Sequence, residues 1–541
     1  MATLTAYSDK KLLIIDDMPE MRSSLRSQAS SIGFQKITVC GHLRDAFEAL
    51  RQTSFDIILC DYYLGAGTNG QQFLEHLRNR RMIARSTLFI MITAEKNHDS
   101  VITAAECMPD DYLLKPFTAD LFASRVEKLL EKKRRLARID AMQDKGQWPE
   151  VLAECDAIIA SRDRFQIDAL RIKGNALLQS GRSEEAAKFY EQVLAMRAMP
   201  WARLGLARAQ RELGRPAEAK ETLNTLIAEA PKLMAAYDLL GHIHAAEGDT
   251  GAALQVLDDA CRLSPHSLAR LRAIAEVAED AGDYERVEQS LGQVVEKTRN
   301  SPLRETSDYA RLGNALAATG QADKALNLID EARSAFREET GHPALAAIEA
   351  IALHQLGDTA KAEAALQVAL QGDLTDLPAS AMLTVAKACL ATGRTEQGEA
   401  LLKQVVQTNP DATDMHARVT RVMQDHGVAD HAERLVADSV QEVIELNNEA
   451  VRCGKEGRIG EAAQMLTAAA NRLPGNLQIV ANAAYALLLD LLTNGTDPAK
   501  LDDARRFREA VRTRAPAHRK LADIDGLWSK LAARDGSGSA S

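Results

Sequence analysis

Residues 12–22 read LLIIDDMPEMR. The apolar run Leu12–Ile15 stops abruptly on two carboxylates, Asp16 and Asp17. The same grammar returns four times. Phe55–Cys60 ends on Asp61, Leu88–Ile92 ends on Thr93, Tyr112–Leu114 ends on Lys115-Pro116, and Ile37–Cys40 is a weaker version. Segments of helical character fill the intervals: Glu20–Ser31, Arg44–Gln52, Gln71–Arg78 and Thr118–Leu130. Short apolar strands alternating with amphipathic helices predict a parallel sheet covered on both faces. Ligands of such sheets bind beyond the carboxyl ends of the strands. Asp16, Asp17, Asp61, Thr93 and Lys115 are therefore expected to converge.

Crowding three carboxylates is costly unless a cation sits among them. Mg²⁺ suits the donors, since it takes carboxylate oxygens octahedrally and keeps waters for a phosphate ligand. The hydroxyl of Thr93 and the ammonium of Lys115 beside it complete a plausible phosphoryl site.

The runs LLIIDDMPEMR, DIILCDYYL, FIMITAE and DDYLLKPF together resemble the receiver domain of two-component response regulators, over about residues 10–130. The resemblance implies a five-stranded, flavodoxin-like α/β fold. It also implies roles. Asp61 matches the phosphoacceptor, Asp17 the direct Mg²⁺ ligand and Asp16 a ligand acting through water. The Tyr63 backbone carbonyl matches the third protein ligand. Lys115 matches the lysine that pairs with the acceptor, Thr93 the hydroxyl that follows the phosphoryl group, and Tyr112 the aromatic switch. A cis bond before Pro116 is implied too. The chain departs from the family at Leu64–Gly70, which lacks Met-Pro after the acceptor, and at Met108-Pro109. Cys60, beside the acceptor, is expected to point into the core.

Beyond residue 130 the texture changes. Turn glycines fall at Gly146, Gly181, Gly214, Gly248, Gly282, Gly320, Gly357, Gly393, Gly427, Gly457 and Gly495, at an average period close to 35. Five residues on there is often Ala, as at 186, 219, 253, 325, 362, 432 and 462. Nine residues on there is a large side chain, such as Tyr190, Leu223, Leu257 or Leu402. Pro231, Pro265, Pro410 and Pro474 close units, and Pro516 the last. Gly takes the left-handed turn, Ala permits close approach, the large residue fills the seam and Pro stops the helix. The pattern resembles the tetratricopeptide repeat, best in Met234–Ser267. It implies an all-α solenoid of about 11 hairpins. The expected domains are 1–130 (receiver), 131–534 (repeats) and 535–541 (a disordered tail).

Residues 117–145 lack Gly and Pro between Phe117 and Lys145, and Phe122, Val126, Leu129, Leu136 and Ile139 share one stripe. They predict one helix of about 27 residues joining the two parts. Its basic run, Lys132–Arg135, is expected to be a solvated face. The repeats are expected to bind a protein partner in their groove, with Arg171, Asn175, Trp201, Arg208 and His242 among its lining, along with Asp238, Arg272, Asn314, His354 and Lys387. The arginines 505, 506, 508, 512 and 514 would meet an acidic partner or coat a capping helix.

The 541 residues carry a net charge of −10, which argues against a general nucleic-acid binder. The best apolar run, Ala483–Leu492, is short for a span and holds Asp490. Seven scattered Cys and no signal-peptide pattern fit a cytoplasmic protein. No transcriptional, cyclic-nucleotide or P-loop output motif is evident, so output by contact is expected, not catalysis. The implied upstream partner is a sensor histidine kinase or a phosphotransfer protein; the oligomeric state, a homodimer included, stays open. One reading is a phosphorylation-switched adaptor. The other is a phosphoryl sink or kinase inhibitor that uses the repeats to hold the kinase.

Overall fold

The computed structural model describes all residues except 1–6, 66–67, 95–108, 266, 337–341, 372–373, 375–376, 496, 516–517 and 538–541. Ala66, Gly67, Met108, Pro516 and the end of the tail thus lie outside the described residues. Contacts divide the chain into two compact units: Met1–Ala281 with Gln289–Asp308, and Gly282–Glu288 with Tyr309–Ser541.

The first unit opens with five parallel strands, β1 (Lys11–Ile15), β2 (Lys36–Cys40), β3 (Ile57–Asp61), β4 (Leu88–Thr93) and β5 (Asp111–Leu114), in the order β2-β1-β3-β4-β5. Helices α1 (Pro19–Ser31), α2 (Leu43–Gln52) and α3 (Gly70–Asn79) connect the first four. Strand residues alternate between the faces. Leu12, Ile14, Ile57, Leu59, Ile90 and Ile92 share one core with Leu25, Phe34, Phe122 and Val126. Leu13, Ile15, Ile58, Cys60, Phe89 and Met91 are equally buried and lie on the alternate positions. The order reverses between β1 and β3, which is where such sheets open a crevice.

The joining helix runs unbroken over Ala119–Asp144. Phe122 and Val126 belong to the sheet core, while Leu136 and Ile139 belong to the core of the first hairpins. Lys132–Arg135 is not a freely solvated face. Lys133 bonds the Arg85 carbonyl at 2.5 Å and lies 3.4 Å from Asp110, Lys132 pairs with Asp168 at 2.6 Å, and Arg135 with Asp163 at 2.8 Å. The run pins the helix to sheet domain and repeats alike.

All eleven turn glycines have positive φ, between 68° and 102°. At the turn of Gly214 a Cβ would find open space, so it is the backbone angle that calls for Gly. The Ala positions 186, 219, 253 and 325 are fully buried, as are Leu223 and Leu402. One irregularity escaped the period. The spacing from Gly427 to Gly457 is short because one 24-residue helix, Ala432–Lys455, serves both turns. No Pro or Gly interrupts residues 428–453, so nothing divides it. The regular hairpin count therefore fails there, and a lone helix, Leu521–Ser537, follows the last pair and enters the stretch expected as tail.

Helix Leu477–Asn494 is long and apolar enough to cross a membrane, more than its apolar run indicated, yet 61% of it is buried within the repeats. Asp490 in it is paired with Lys500 at 2.6 Å. The arginine cluster is also engaged. Arg505, Arg506, Arg508 and Arg512 pair with Asp502, Asp503 and Asp525, and Arg508 stacks 5.1 Å over Trp528. These contacts favour the capping role.

Candidate functional site

Asp16 and Asp17 follow β1, Asp61 ends the neighbouring β3, Thr93 ends β4 and Lys115 follows β5. The topology thus places all five at one sheet end. One carboxylate oxygen from each of Asp16, Asp17 and Asp61 lies within 4.8 Å of the others. The Lys115 ammonium bridges two of them, at 2.9 Å from Asp16 and 2.8 Å from Asp61. Its backbone N–H donates to the Thr93 carbonyl at 2.8 Å, and the Lys115–Pro116 bond is cis. Thr93 is fully buried, Tyr112 nearly so, and the Tyr63 side chain is exposed while its backbone belongs to the loop after β3.

Three carboxylates against one ammonium leave this pocket short of positive charge. Burial pushes the Asp61 carboxyl above its ordinary range, and bonds to Lys115 and the Tyr62 backbone offset only part of that. Burial pulls Lys115 down, but its hydrogen bonds to Asp61 and Asp16 outweigh it and leave the ammonium held above the usual lysine range. The oxygen-only donors, their closeness and the charge deficit fit a hard divalent cation.

Two supporting residues were not singled out in the sequence. Arg22, in the first turns of α1, donates to the backbone carbonyls of Asp16 and Asp17 at 2.8 and 2.9 Å. It fixes the acid pair from behind, and it stands inside the very run that opens the domain. Gly70, the first residue of α3, is the second. A Cβ there would lie 2.3 Å from the Asp61 carbonyl, 2.9 Å from Met91 Sδ and 3.1 Å from Cys60 Sγ. Cys60 itself is buried, as expected, and its thiol donates to the Asp61 carbonyl at 3.3 Å. Asn69 caps α3 reciprocally with Gln72. Gly70→Ala is expected to cost about 1–3 kcal/mol by overpacking against immovable backbone and to slow phosphoryl capture. Gly41→Ala is the milder variant, since its Cβ would meet a side chain rather than backbone. That side chain is the Arg22 guanidinium at 3.0 Å, the group bonded to the Asp16 and Asp17 carbonyls, so a smaller loss of stability together with some slowing is expected. Urea unfolding midpoints and phosphorylation rates of the two variants check this.

The groove residues divide. Arg171 stacks 5.4 Å over Trp201, and Tyr190 packs edge-on to Trp201 with ring centres 6.4 Å apart. The Tyr190 hydroxyl donates to Asn175 at 3.5 Å. Arg208 lies near Tyr190 and is solvent-exposed. These four surround one aromatic anchor. His242 stands apart, with Nδ1 2.6 Å from the Asp238 carbonyl of its own helix. Asp238 and Arg272 are occupied by Arg270 and by Asp308, and Lys387 contacts Tyr284 and Asn314. They are not free groove positions.

Residues 12–127 match the response regulator receiver domain family, and residues 177–243, 235–267 and 353–422 match tetratricopeptide repeat families. A chemotaxis protein CheY of Pseudomonas aeruginosa is 29% identical over 122 residues, which is 23% of this chain and 97% of that protein. Chemotaxis protein CheY-3 of Vibrio cholerae is 28% identical over 122 residues, 23% of this chain and 92% of that one. Among solved structures, a Francisella response regulator receiver domain is 24% identical, with TM-score 0.21, and covers 23% of this chain and 98% of its own. A tetratricopeptide repeat protein from Parabacteroides merdae is 16% identical, with TM-score 0.30, and covers 48% and 98%. The chain carries a response regulator receiver domain followed by tetratricopeptide repeats.

Proposed function

We propose that the chain is a phosphorylation-switched adaptor of two-component signalling, with a receiver over 1–130, repeats over 131–534 and a cytoplasmic location. Asp61 accepts a phosphoryl group from a phosphohistidine on a histidine kinase or phosphotransfer protein. Its carboxylate oxygen forms the bond to phosphorus as the bond to the imidazole nitrogen breaks, leaving an acyl phosphate. The observation that carries this is the cluster of Asp16, Asp17 and Asp61 bridged by Lys115.

Mg²⁺ fits the cluster: Asp17, Asp61, the Tyr63 carbonyl and Asp16 would hold it, and when bound it would supply positive charge to the phosphoryl oxygens. Lys115 orients the acceptor and then faces the transferred group. Thr93 offers its hydroxyl from the end of β4, and Tyr112 follows Thr93 as the switch. Positive groups preorganised where charge develops are the main source of acceleration in phosphoryl transfer.

The output is protein contact through the repeats, with Arg171, Asn175, Trp201, Arg208 and His242 in the groove. The shared helix Ala119–Asp144 carries the change across. A partner responds only if its affinity differs between the two states. Wild type and Asp61→Ala, each with and without acetyl phosphate, are expected to capture different protein sets from the native cell. Identical sets in all four samples would overturn the adaptor.

A further inference from the structure

The receiver is held by its own repeats at a point close to the acceptor. Helices Tyr284–Thr298 and Thr306–Ala318 are joined by the seven residues 299–305, whereas the preceding inter-hairpin connections, 161–165, 197–199, 230–233 and 264–267, have three to five. The longer connection touches the receiver. The hydroxyls of Ser301 and Thr68 lie 3.1 Å apart, and both residues are buried, at 7% exposure. Arg80, just past α3, pairs with Glu305 at 3.4 Å. Arg272 anchors the connection from behind, at 3.5 Å from Glu305 and 2.7 Å from Asp308. His76 of α3 stands in the same charged cluster, beside Arg80, Glu305 and Arg272. Ser301 also accepts from the Leu303 N–H at 3.1 Å, and Leu303 is buried, so the connection has a shape of its own.

Thr68 belongs to the loop that leaves Asp61, and the described residues at the two ends of this loop are held together. The Tyr62 N–H donates to Ile92 and the Gly70 N–H donates to the Tyr62 carbonyl, each at 2.8 Å. Tyr63 bridges to Asn69, the neighbour of Thr68, and Gly70 lies against the Asp61 carbonyl with no room for a methyl group. A phosphoryl group on Asp61 has to be accommodated beside this same loop.

We propose that residues 298–308 form a latch on the acceptor loop, docked in the unphosphorylated chain and released when Asp61 is phosphorylated. The proposal rests on the assignment of Asp61 as acceptor. It makes the repeats a brake on the receiver as well as its output. A loop competent for only part of the time reacts proportionally more slowly, so weakening the latch speeds phosphorylation.

The test uses the full chain with Mg²⁺ and acetyl phosphate, reading phosphorylation by intact mass and latch opening by hydrogen exchange. Phosphorylation is expected to raise exchange in 298–308. Arg80→Glu is expected to raise it without donor and to speed phosphorylation roughly two- to five-fold, the scale of one exposed ion pair. Thr68→Val, which keeps the side-chain shape and removes the hydroxyl, is expected to act in the same direction. A phosphorylated chain with unchanged exchange in 298–308 overturns the latch and leaves the acceptor standing. Open latches in both variants with wild-type phosphorylation rates overturn the brake. A chain that takes up no phosphoryl group overturns the acceptor assignment and the latch together.

Discussion

Asp61→Asn is expected to reduce phosphoryl capture from acetyl phosphate to the background of the solution reaction. The amide keeps the size of the side chain and removes the anionic oxygen proposed to bond to phosphorus. The fold should survive. Lys115 retains Asp16 at 2.9 Å, and the folded chain holds the Asp61 carboxyl above its ordinary range through burial. A carboxyl raised in this way opposes folding once the pH exceeds its ordinary value. A neutral amide relieves that, so the thermal midpoint is expected to stay or rise. Lys115→Ala keeps the nucleophile and removes one preorganised positive group, with a loss of roughly 10²–10³-fold in rate. Intact-mass kinetics on both variants, beside their melting curves, separate lost chemistry from lost fold. Capture by Asp61→Asn at the wild-type rate would move the acceptor elsewhere.

The receiver was legible because four of its five strands announce their ends. An apolar run that stops on a carboxylate, a hydroxyl or a lysine gives the sheet and the site in one reading, since β-strand ends converge in a parallel sheet. The repeats were legible for a different reason. A left-handed turn every 35 residues or so leaves few choices but Gly. What escaped was whatever depends on contacts between distant segments. Arg22 is an ordinary helix residue until its guanidinium is seen on the Asp16 and Asp17 carbonyls. Lys132–Arg135 reads as a solvated run because its partners, Asp110, Asp163 and Asp168, are spread over two domains. The long spacing from Gly282 to Gly320 registers only as an irregular period, although its extra residues reach Thr68. The fused helix Ala432–Lys455 was readable in principle, from the lack of any Gly or Pro between Gly427 and Gly454, but the regular glycines masked it.

Tyr190→Ala is expected to be among the most damaging single changes in the repeats, at about 3–5 kcal/mol for a fully buried aromatic. Tyr190 is 1% exposed and fills the seam between two first helices. Gly174 and Gly205 flank it so closely that a Cβ on either would meet its ring, at 2.5 and 2.3 Å. The chain thus uses two glycines inside helices, each a local cost of about 1 kcal/mol against Ala, to seat one ring. Gly205→Ala recovers that propensity but forces the ring to shift, so a net loss of about 1–3 kcal/mol is expected. Tyr190→Phe is the mild variant, because only the 3.5 Å bond to Asn175 is lost, at about 1 kcal/mol. The contacts predict non-additivity: in a Tyr190→Leu background, Gly205→Ala should cost clearly less than in wild type. Urea midpoints followed by circular dichroism measure all of these. Additive losses would mean that ring and glycine do not share the seam. The same ring touches Trp201 and Asn175 and lies beside Arg208. Tyr190→Ala should therefore weaken partner capture even at urea-free conditions where the chain stays folded, while leaving acetyl phosphate capture at Asp61 intact. That outcome would separate the groove from the receiver site by one substitution.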